Sequence, residues 1–294
     1  MESVAERLDA VHARVAGACA RGGRAPAGVE VLVVSKTVAA ERVREAVEAG
    51  QRLFGESRQQ EASAKIPLLP SSLQWHFIGP LQRNKVRKVL PLVEAIHSVD
   101  SVPLARQIDA VAAELGLFPK VFLEVNLAGE ASKHGFTPEA LRAALDELLR
   151  LPRLEVLGLM TVPPVAEDPQ QSRPWFATLR TLRDELAHNA GVPITGLSMG
   201  MSDDFEVAVE EGATIIRVGS VVFGDRSIFE VEEQVAETVE GVFEGGPVAG
   251  FDRRCDGGER GIDGGAVGGC DVGGEQRFRA PPEAFGGSDQ RGGR

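Results

Sequence analysis

The stretch Val31-Leu32-Val33-Val34 is apolar without interruption, and that property narrows the fold more than any other. A strand with one face in water alternates polar and apolar residues. An unbroken run of β-branched and aliphatic side chains is buried on both faces, as in a parallel sheet covered by helices. The pattern recurs. Apolar runs at 30–35, 52–54, 73–78, 94–97, 120–125, 155–160, 193–198 and 214–218 are separated by helix-patterned stretches such as 39–49, 101–115, 137–150, 170–189 and 228–243. Repeated βα units imply right-handed crossovers and a parallel sheet. About eight of them in a chain of this size favour an α/β fold of the (β/α)8 TIM-barrel type over an open doubly wound sheet. Val4, Leu8, Val11 and Val15 fall at helical spacing and give an amphipathic helix before the first strand.

Glycine marks where this pattern stops. Over 246–294 roughly a third of positions are glycine, with scattered Arg, Asp and Glu and no apolar periodicity, so the segment cannot offset its ordering entropy. The expected organisation is one barrel domain over 1–245 and a disordered tail over 246–294. The net charge of -11, without any Lys/Arg block interleaved with aromatics, lacks the electrostatic footprint of a nucleic-acid surface. Charged residues punctuate the first twenty positions and no apolar run approaches membrane-spanning length, so a soluble, cytoplasmic protein without a membrane partner is expected. Cys19, Cys255 and Cys270 have no metal-ligand spacing, and two lie in the expected tail; neither a disulfide framework nor a metal site is indicated.

A barrel brings the C-terminal ends of different strands to one mouth, where binding and catalytic groups gather. Here those ends are Lys36, Gly55-Glu56-Ser57, Ile78-Gly79-Pro80, Ser98, Asn126, Met160-Thr161, Ser198-Met199-Gly200 and Arg217-Val218-Gly219-Ser220. Lys36 emerges at the end of the first buried strand. A partly desolvated lysine there has a lowered pKa and can attack a carbonyl; a lysine that merely snorkels outward is the alternative. Ser198-Met199-Gly200-Met201-Ser202 follows the seventh strand and opens a helix, offering backbone N–H groups and two hydroxyls to an anion. Asp203 and Asp204 would repel a phosphate and are expected to face outward, one of them capping the helix. Gly219-Ser220 follows the eighth strand, and phosphate sites built after strands seven and eight recur in this architecture. Arg217 interrupts a buried strand and must meet a carboxylate, solvent or a ligand atom, such as the ring nitrogen of a pyridine cofactor. His76 is expected as a hydrogen-bonded core histidine, sharing a face with Ile78, and Lys133 lies in a polar loop after the fifth strand. The set suits an aldehyde that carries a phosphate.

Taken together, Val34-Ser35-Lys36-Thr37, Phe54-Gly55-Glu56, Trp75-His76-Phe77-Ile78-Gly79-Pro80-Leu81-Gln82 with Asn84-Lys85, Gly158-Leu159-Met160, Leu197 through Asp204 and Arg217-Val218-Gly219 closely resemble the pyridoxal phosphate homeostasis proteins, over nearly everything up to Arg226. The resemblance implies a (β/α)8 barrel like the N-terminal domain of alanine racemase, with pyridoxal 5'-phosphate as cofactor. By family pattern Lys36 forms the Schiff base, Arg217 sits by the ring nitrogen, and Ser198, Gly200, Gly219 and Ser220 hold the phosphate; Ser202 joins the expected cofactor-binding residues from its place in the loop. The family commonly shows Gly-Glu-Asn after the second strand, whereas here the third residue is Ser57. If the family's asparagine contacts the cofactor ring, Ser57 reaches it poorly or through water, at a cost of ~0.5–1.5 kcal/mol in affinity.

The sequence contains no tyrosine. Racemases of the related fold resemble two-base machines in which a lysine works one face and a tyrosine from a second β domain the other, and a glycine-rich tail does not supply such a domain. No catalytic residue is therefore assigned. The expected function is a carrier of pyridoxal phosphate, acting in vitamin B6 and amino- and keto-acid balance, with pyridoxal-phosphate-dependent apo-enzymes as possible recipients. The alternatives are a racemase or lyase of low activity using His76 as a substitute acid, and a cofactor-free Schiff-base aldolase.

Overall fold

A computed structural model describes residues 2–130 and 133–224. The helix expected at 228–243, Cys255, Cys270 and the expected tail at 246–294 lie outside the described residues. An opening helix α1 (Val4–Arg21) precedes β1 (Glu30–Val34), α2 (Ala40–Glu48), β2 (Leu53–Glu56), α3 (Gln59–Lys65), β3 (Gln74–Phe77), α4 (Val86–Val89), β4 (Ala95–Val99) and α5 (Val102–Leu115). There follow β5 (Lys120–Glu124), α6 (Pro138–Leu149), β6 (Glu155–Met160), α7 (Arg173–Ala190), β7 (Gly196–Ser198), α8 (Phe205–Glu210), β8 (Ile215–Val218) and α9 (Ser220–Phe223). Each strand pairs in parallel with the next and β8 pairs with β1, so the sheet closes into an eight-stranded barrel.

The expected TIM barrel is therefore present, with differences at the short elements. β2 runs on through Glu56, which is in register with Phe77 of β3. β7 shrinks to three residues. The helices α3, α4, α8 and α9 were not legible as periodic stretches, because four to seven residues repeat an apolar position too few times to show a 3.6-residue period. The opening helix forms as its spacing predicts: Ser3 Oγ accepts from the Glu6 N–H at 3.2 Å and Glu6 Oε2 accepts from the Ser3 N–H at 2.7 Å, a reciprocal cap. Its buried stripe of Val4, Leu8, Val11 and Val15 joins the main core, and Arg14 and Arg21 pair with Glu206 and Glu210 of α8.

Strand parity sorts the side chains. Val31, Val33, Phe54, Trp75, Phe77, Ile96, Val121, Leu123, Leu197, Ile216 and Val218 face outward into the layer shared with the helices. Leu32, Val34, Leu53, Phe122, Met160 and Ile215 form a separate cluster inside the barrel. Two glycines make room for it. A Cβ on Gly158 would stand 2.0 Å from the carbonyl oxygen of Gly196, and one on Gly196 would stand 2.6 Å from the Phe122 ring. Glycine at both positions lets β6 and β7 approach while Phe122 fills the interior.

The barrel interior also carries a hydrogen-bonded polar line. His76 Nδ1 and His97 Nε2 lie 2.9 Å apart, His97 Nδ1 and Ser198 Oγ 2.8 Å apart, and Arg217 Nη1 donates to Ser198 Oγ at 2.7 Å. Arg217 Nη2 donates to the carbonyl of Thr161 at 3.0 Å. The line thus links β3, β4, β7 and β8. A proton order that satisfies every member has the Ser198 hydroxyl donating to His97 and His97 donating to His76. Burial lowers the pKa of both histidines, to about 4 for His76 and well below the ordinary value for His97, so both are neutral near pH 7. Burial also pulls the Arg217 guanidinium down to about 10, which leaves it charged.

The histidines make stability pH-dependent with a defined sign. His76 binds its proton near pH 6.5 when unfolded and near 4 when folded, so the unfolded chain gains the proton first and stability falls as pH drops through that window. Between pH 7 and pH 5 the His76 contribution should fall by roughly 2 kcal/mol. Urea unfolding of wild type and His76→Asn at both pH values checks this: the variant should lose less stability on acidification, and equal losses would contradict it.

Candidate functional site

Lys36 stands two residues beyond β1 on the face shared by Leu32 and Val34, and so at the rim of the barrel interior. It is exposed rather than partly desolvated, because the strand ends at Val34 and Lys36 occupies the turn that follows. That turn is closed by the Val38 N–H donating to the Ser35 carbonyl at 3.0 Å. Thr37 has φ of +60°, alone in positive φ among the described non-glycine residues. For a β-branched side chain this costs about 1–3 kcal/mol, so surrounding contacts must impose it.

Those contacts come from an ionic group behind the strand. Lys65 Nζ donates to the Ser35 carbonyl at 2.6 Å, to Glu56 Oε1 at 2.8 Å and to Glu61 Oε1 at 2.7 Å. Ser35 Oγ donates to Glu56 Oε1 at 2.6 Å, and the Thr37 N–H donates to Glu61 Oε1. Glu56 is 0% exposed on the outer face of β2, under α3, and does not point toward the mouth. Burial pushes its carboxyl pKa up against the pull of Lys65, and its second oxygen has no hydrogen-bond partner among the described residues.

The other expected mouth residues are distributed as follows. Ser57 is half-buried and its carbonyl would lie 2.2 Å from a Cβ on Gly79, so the ends of β2 and β3 are in tight backbone contact. Ser198 is fully buried, with its hydroxyl engaged by His97 and Arg217. Gly200 has φ of +92°, and a Cβ there would meet Ala208 at 2.5 Å, so α8 packs directly on this residue. Ser202 Oγ accepts from the Gly219 N–H at 3.2 Å, which ties the loop after β7 to the turn after β8. Gly219 is buried and Ser220 is exposed.

Asp203 is exposed as expected, but Asp204 is not outward-facing. It is buried, and its Oδ1 accepts from the Met201 N–H at 2.7 Å. The reason lies in the loop: Met201 follows the left-handed turn at Gly200, and its amide is satisfied by Asp204 rather than by a helical carbonyl. The helix itself starts only at Phe205. Lys133 pairs with Glu130 at 2.9 Å, and Asn126 Nδ2 donates to the Glu130 carbonyl at 2.9 Å, so that loop folds on itself. Ser98 Oγ donates to the Gly79 carbonyl at 2.5 Å.

Three groups were missed from the sequence. His97, the last residue of the run at 94–97, was given no role; its parity with the interior position of Ala95 was the available signal. The Glu56–Lys65–Glu61 group had no signal, because a strand carboxylate and a helix ammonium nine residues apart meet only through tertiary packing. Glu124 shares the inward parity of Phe122, and β5 lies across the ring of eight strands from β1. Its carboxyl pKa is raised by burial and by Asp100, against the pull of His134 and Arg217.

An exposed primary amine, a deeper guanidinium and two joined loops bearing the Ser202 and Ser220 hydroxyls form a donor set suited to an aldehyde with an anionic substituent. Arg217 is in register with Leu32, four residues before Lys36, which puts the cation below the amine. Among the described residues no helix is long and apolar enough to cross a membrane.

Residues 7–227 match the family model described as the alanine racemase N-terminal domain. The chain is similar to the pyridoxal phosphate homeostasis protein of Aquifex aeolicus, 46% identical over 222 residues that span 75% of this chain and 97% of the relative. A Pseudomonas aeruginosa protein of the same name is 44% identical over 229 residues, 77% of this chain and 97% of its own. The solved structure of PipY from Synechococcus elongatus with PLP bound matches with a TM-score of 0.68 and 42% identity, over 76% of this chain and 100% of that one. Alanine racemase from Clostridium difficile, at 15% identity, TM-score 0.59 and coverage of 75% of this chain and 56% of that one, shares the fold. By its family model this chain belongs to the alanine racemase N-terminal domain family, and by its relatives to the pyridoxal phosphate homeostasis proteins.

Proposed function

We propose that this chain binds pyridoxal 5'-phosphate at the barrel mouth, holds it as a Schiff base on Lys36, and serves vitamin B6 and amino- and keto-acid homeostasis without substantial catalysis of its own. The observation that carries the reading is the placement of Lys36 at the rim above Arg217, beside the two loops joined through Ser202 and Gly219. When bound, the cofactor supplies an aldehyde for the amine and a pyridine ring that withdraws electrons when its nitrogen is protonated. In this assignment Lys36 provides the amine, and the N–H groups and hydroxyls around Gly200, Ser202, Gly219 and Ser220 receive the phosphate. The Ser198 hydroxyl, engaged by Arg217 and His97, would hold the arginine beneath that phosphate site. If the family's asparagine contacts the ring, Ser57 would reach toward it with a shorter side chain. Arg217, charged and fixed by Ser198 and Thr161, disfavours a proton on the ring nitrogen beside it, since two cations repel. A ring kept neutral is a weak electron sink, and this supports a carrier over an enzyme. Release to apo-enzymes is the corresponding proposed role.

Wild type mixed with pyridoxal 5'-phosphate should develop absorbance near the visible edge and, after borohydride, carry the cofactor on the Lys36 peptide; Lys36→Ala should do neither. Retention of stoichiometric covalent cofactor by that variant would overturn the assignment. Ser202→Ala should weaken pyridoxal 5'-phosphate by about threefold to tenfold, the worth of one hydrogen bond, and leave unphosphorylated pyridoxal unchanged. Equal weakening of both would remove Ser202 from the phosphate site.

A second reading, slow racemase or lyase chemistry, draws on Glu124, an inward carboxyl across the barrel from β1 whose pKa is raised by burial. Loaded wild type should not exchange the α-deuteron of labelled amino acids above the rate of free cofactor. Exchange above that rate that disappears in Glu124→Gln would establish the second reading instead.

A further inference from the structure

We propose that Glu61 and Lys65 are positioning residues for Lys36, presenting its amine by holding the backbone on both sides of it. The inference deepens the Schiff-base reading and rests on it. Lys36 is flanked by two residues that the buried ionic group grips separately. On the N-terminal side, Lys65 Nζ donates to the Ser35 carbonyl at 2.6 Å, and the Ser35 hydroxyl donates to Glu56 Oε1 at 2.6 Å. On the C-terminal side, the Thr37 N–H donates to Glu61 Oε1, and the Thr37 hydroxyl returns to the Lys36 carbonyl at 2.6 Å.

The two grips are one unit. Lys65 Nζ joins Glu56 Oε1 and Glu61 Oε1 at 2.8 and 2.7 Å, so its three ammonium protons reach the Ser35 carbonyl and both carboxylates. The ammonium is 8% exposed and Glu56 0%, and such a group tolerates little displacement. What it holds is the backbone at Thr37, whose φ of +60° a β-branched residue does not adopt unaided. Releasing the Thr37 amide lets the turn relax toward ordinary φ and carries the Lys36 side chain away from its place at the rim. Neither Glu61 nor Lys65 needs to touch the ligand; the fixed turn does the work.

The test compares Glu61→Ala, Glu61→Gln and Lys65→Met with wild type. Glutamine keeps an oxygen for the Thr37 N–H and alanine does not. The rate of borohydride-fixed pyridoxal 5'-phosphate on the Lys36 peptide reads oriented capture, while reductive methylation of the same lysine by formaldehyde and borohydride reads the amine with no orientation required. Glu61→Ala and Lys65→Met should slow oriented capture by about tenfold to a hundredfold with methylation near wild type, and Glu61→Gln should stay within about threefold of wild type. Capture by Glu61→Ala at the wild-type rate overturns the proposal, as does Glu61→Gln being as slow as Glu61→Ala, or a variant that loses only thermal stability. The Glu61 pair decides the matter even if Lys65→Met fails to fold. Wild type that fixes the cofactor on another residue contradicts the Schiff-base assignment as well, whereas normal capture by the variants contradicts the positioning role alone.

Discussion

A guanidinium inside a closed barrel is the constraint around which the rest of the interior is arranged. Arg217 is 5% exposed on β8, and a buried cation of that size demands acceptors on every side. Ser198 and Thr161 supply them directly, and the Ser198 hydroxyl is in turn matched to His97 and His97 to His76. Burial keeps both imidazoles neutral, so the line satisfies the arginine without adding a second interior cation. The apolar remainder, Leu32, Val34, Leu53, Phe122, Met160 and Ile215, packs beside it, with Phe122 admitted by the bare backbone of Gly196.

From that base the function follows upward along the strands. Arg217 is paired with Leu32 on β1, so strand register sets the depth of the cation, while Lys36 stands in the turn that follows Val34 and the turn sets where its amine lies. The loops contribute the remaining groups and are cross-tied, Ser202 to Gly219 and Met201 to Asp204. In the proposed carrier role, the fixed charge of Arg217 would discourage protonation of a pyridine nitrogen set beside it.

Much of this was legible in the sequence, for identifiable reasons. Unbroken apolar runs fit strands covered on both faces, so the parallel barrel, the emergence of Lys36 at its mouth and the face shared by His76 and Ile78 could be read directly. The long helices α1, α5, α6 and α7 showed their period, whereas α3, α4, α8 and α9 are too short to show one. For Lys36 the sequence left a partly desolvated and an outward-reaching side chain both open; it is exposed, because burial ends with the strand at Val34 and side-chain environment beyond that point depends on the turn. Asp204 was expected to face outward on the ground of charge; the need of the Met201 amide for an acceptor outweighed it. The group of Glu56, Glu61 and Lys65 is assembled by α3 packing over β2, a relation that neither spacing nor composition encodes.

The most direct test of the central claim is a crystal structure of the full chain grown with pyridoxal 5'-phosphate. The account predicts continuous density from Lys36 Nζ into the cofactor, the ring nitrogen facing Arg217, and the phosphate between the Ser202 and Ser220 loops. Cofactor lodged elsewhere on the molecule, or a ring turned with its nitrogen away from Arg217, would contradict it.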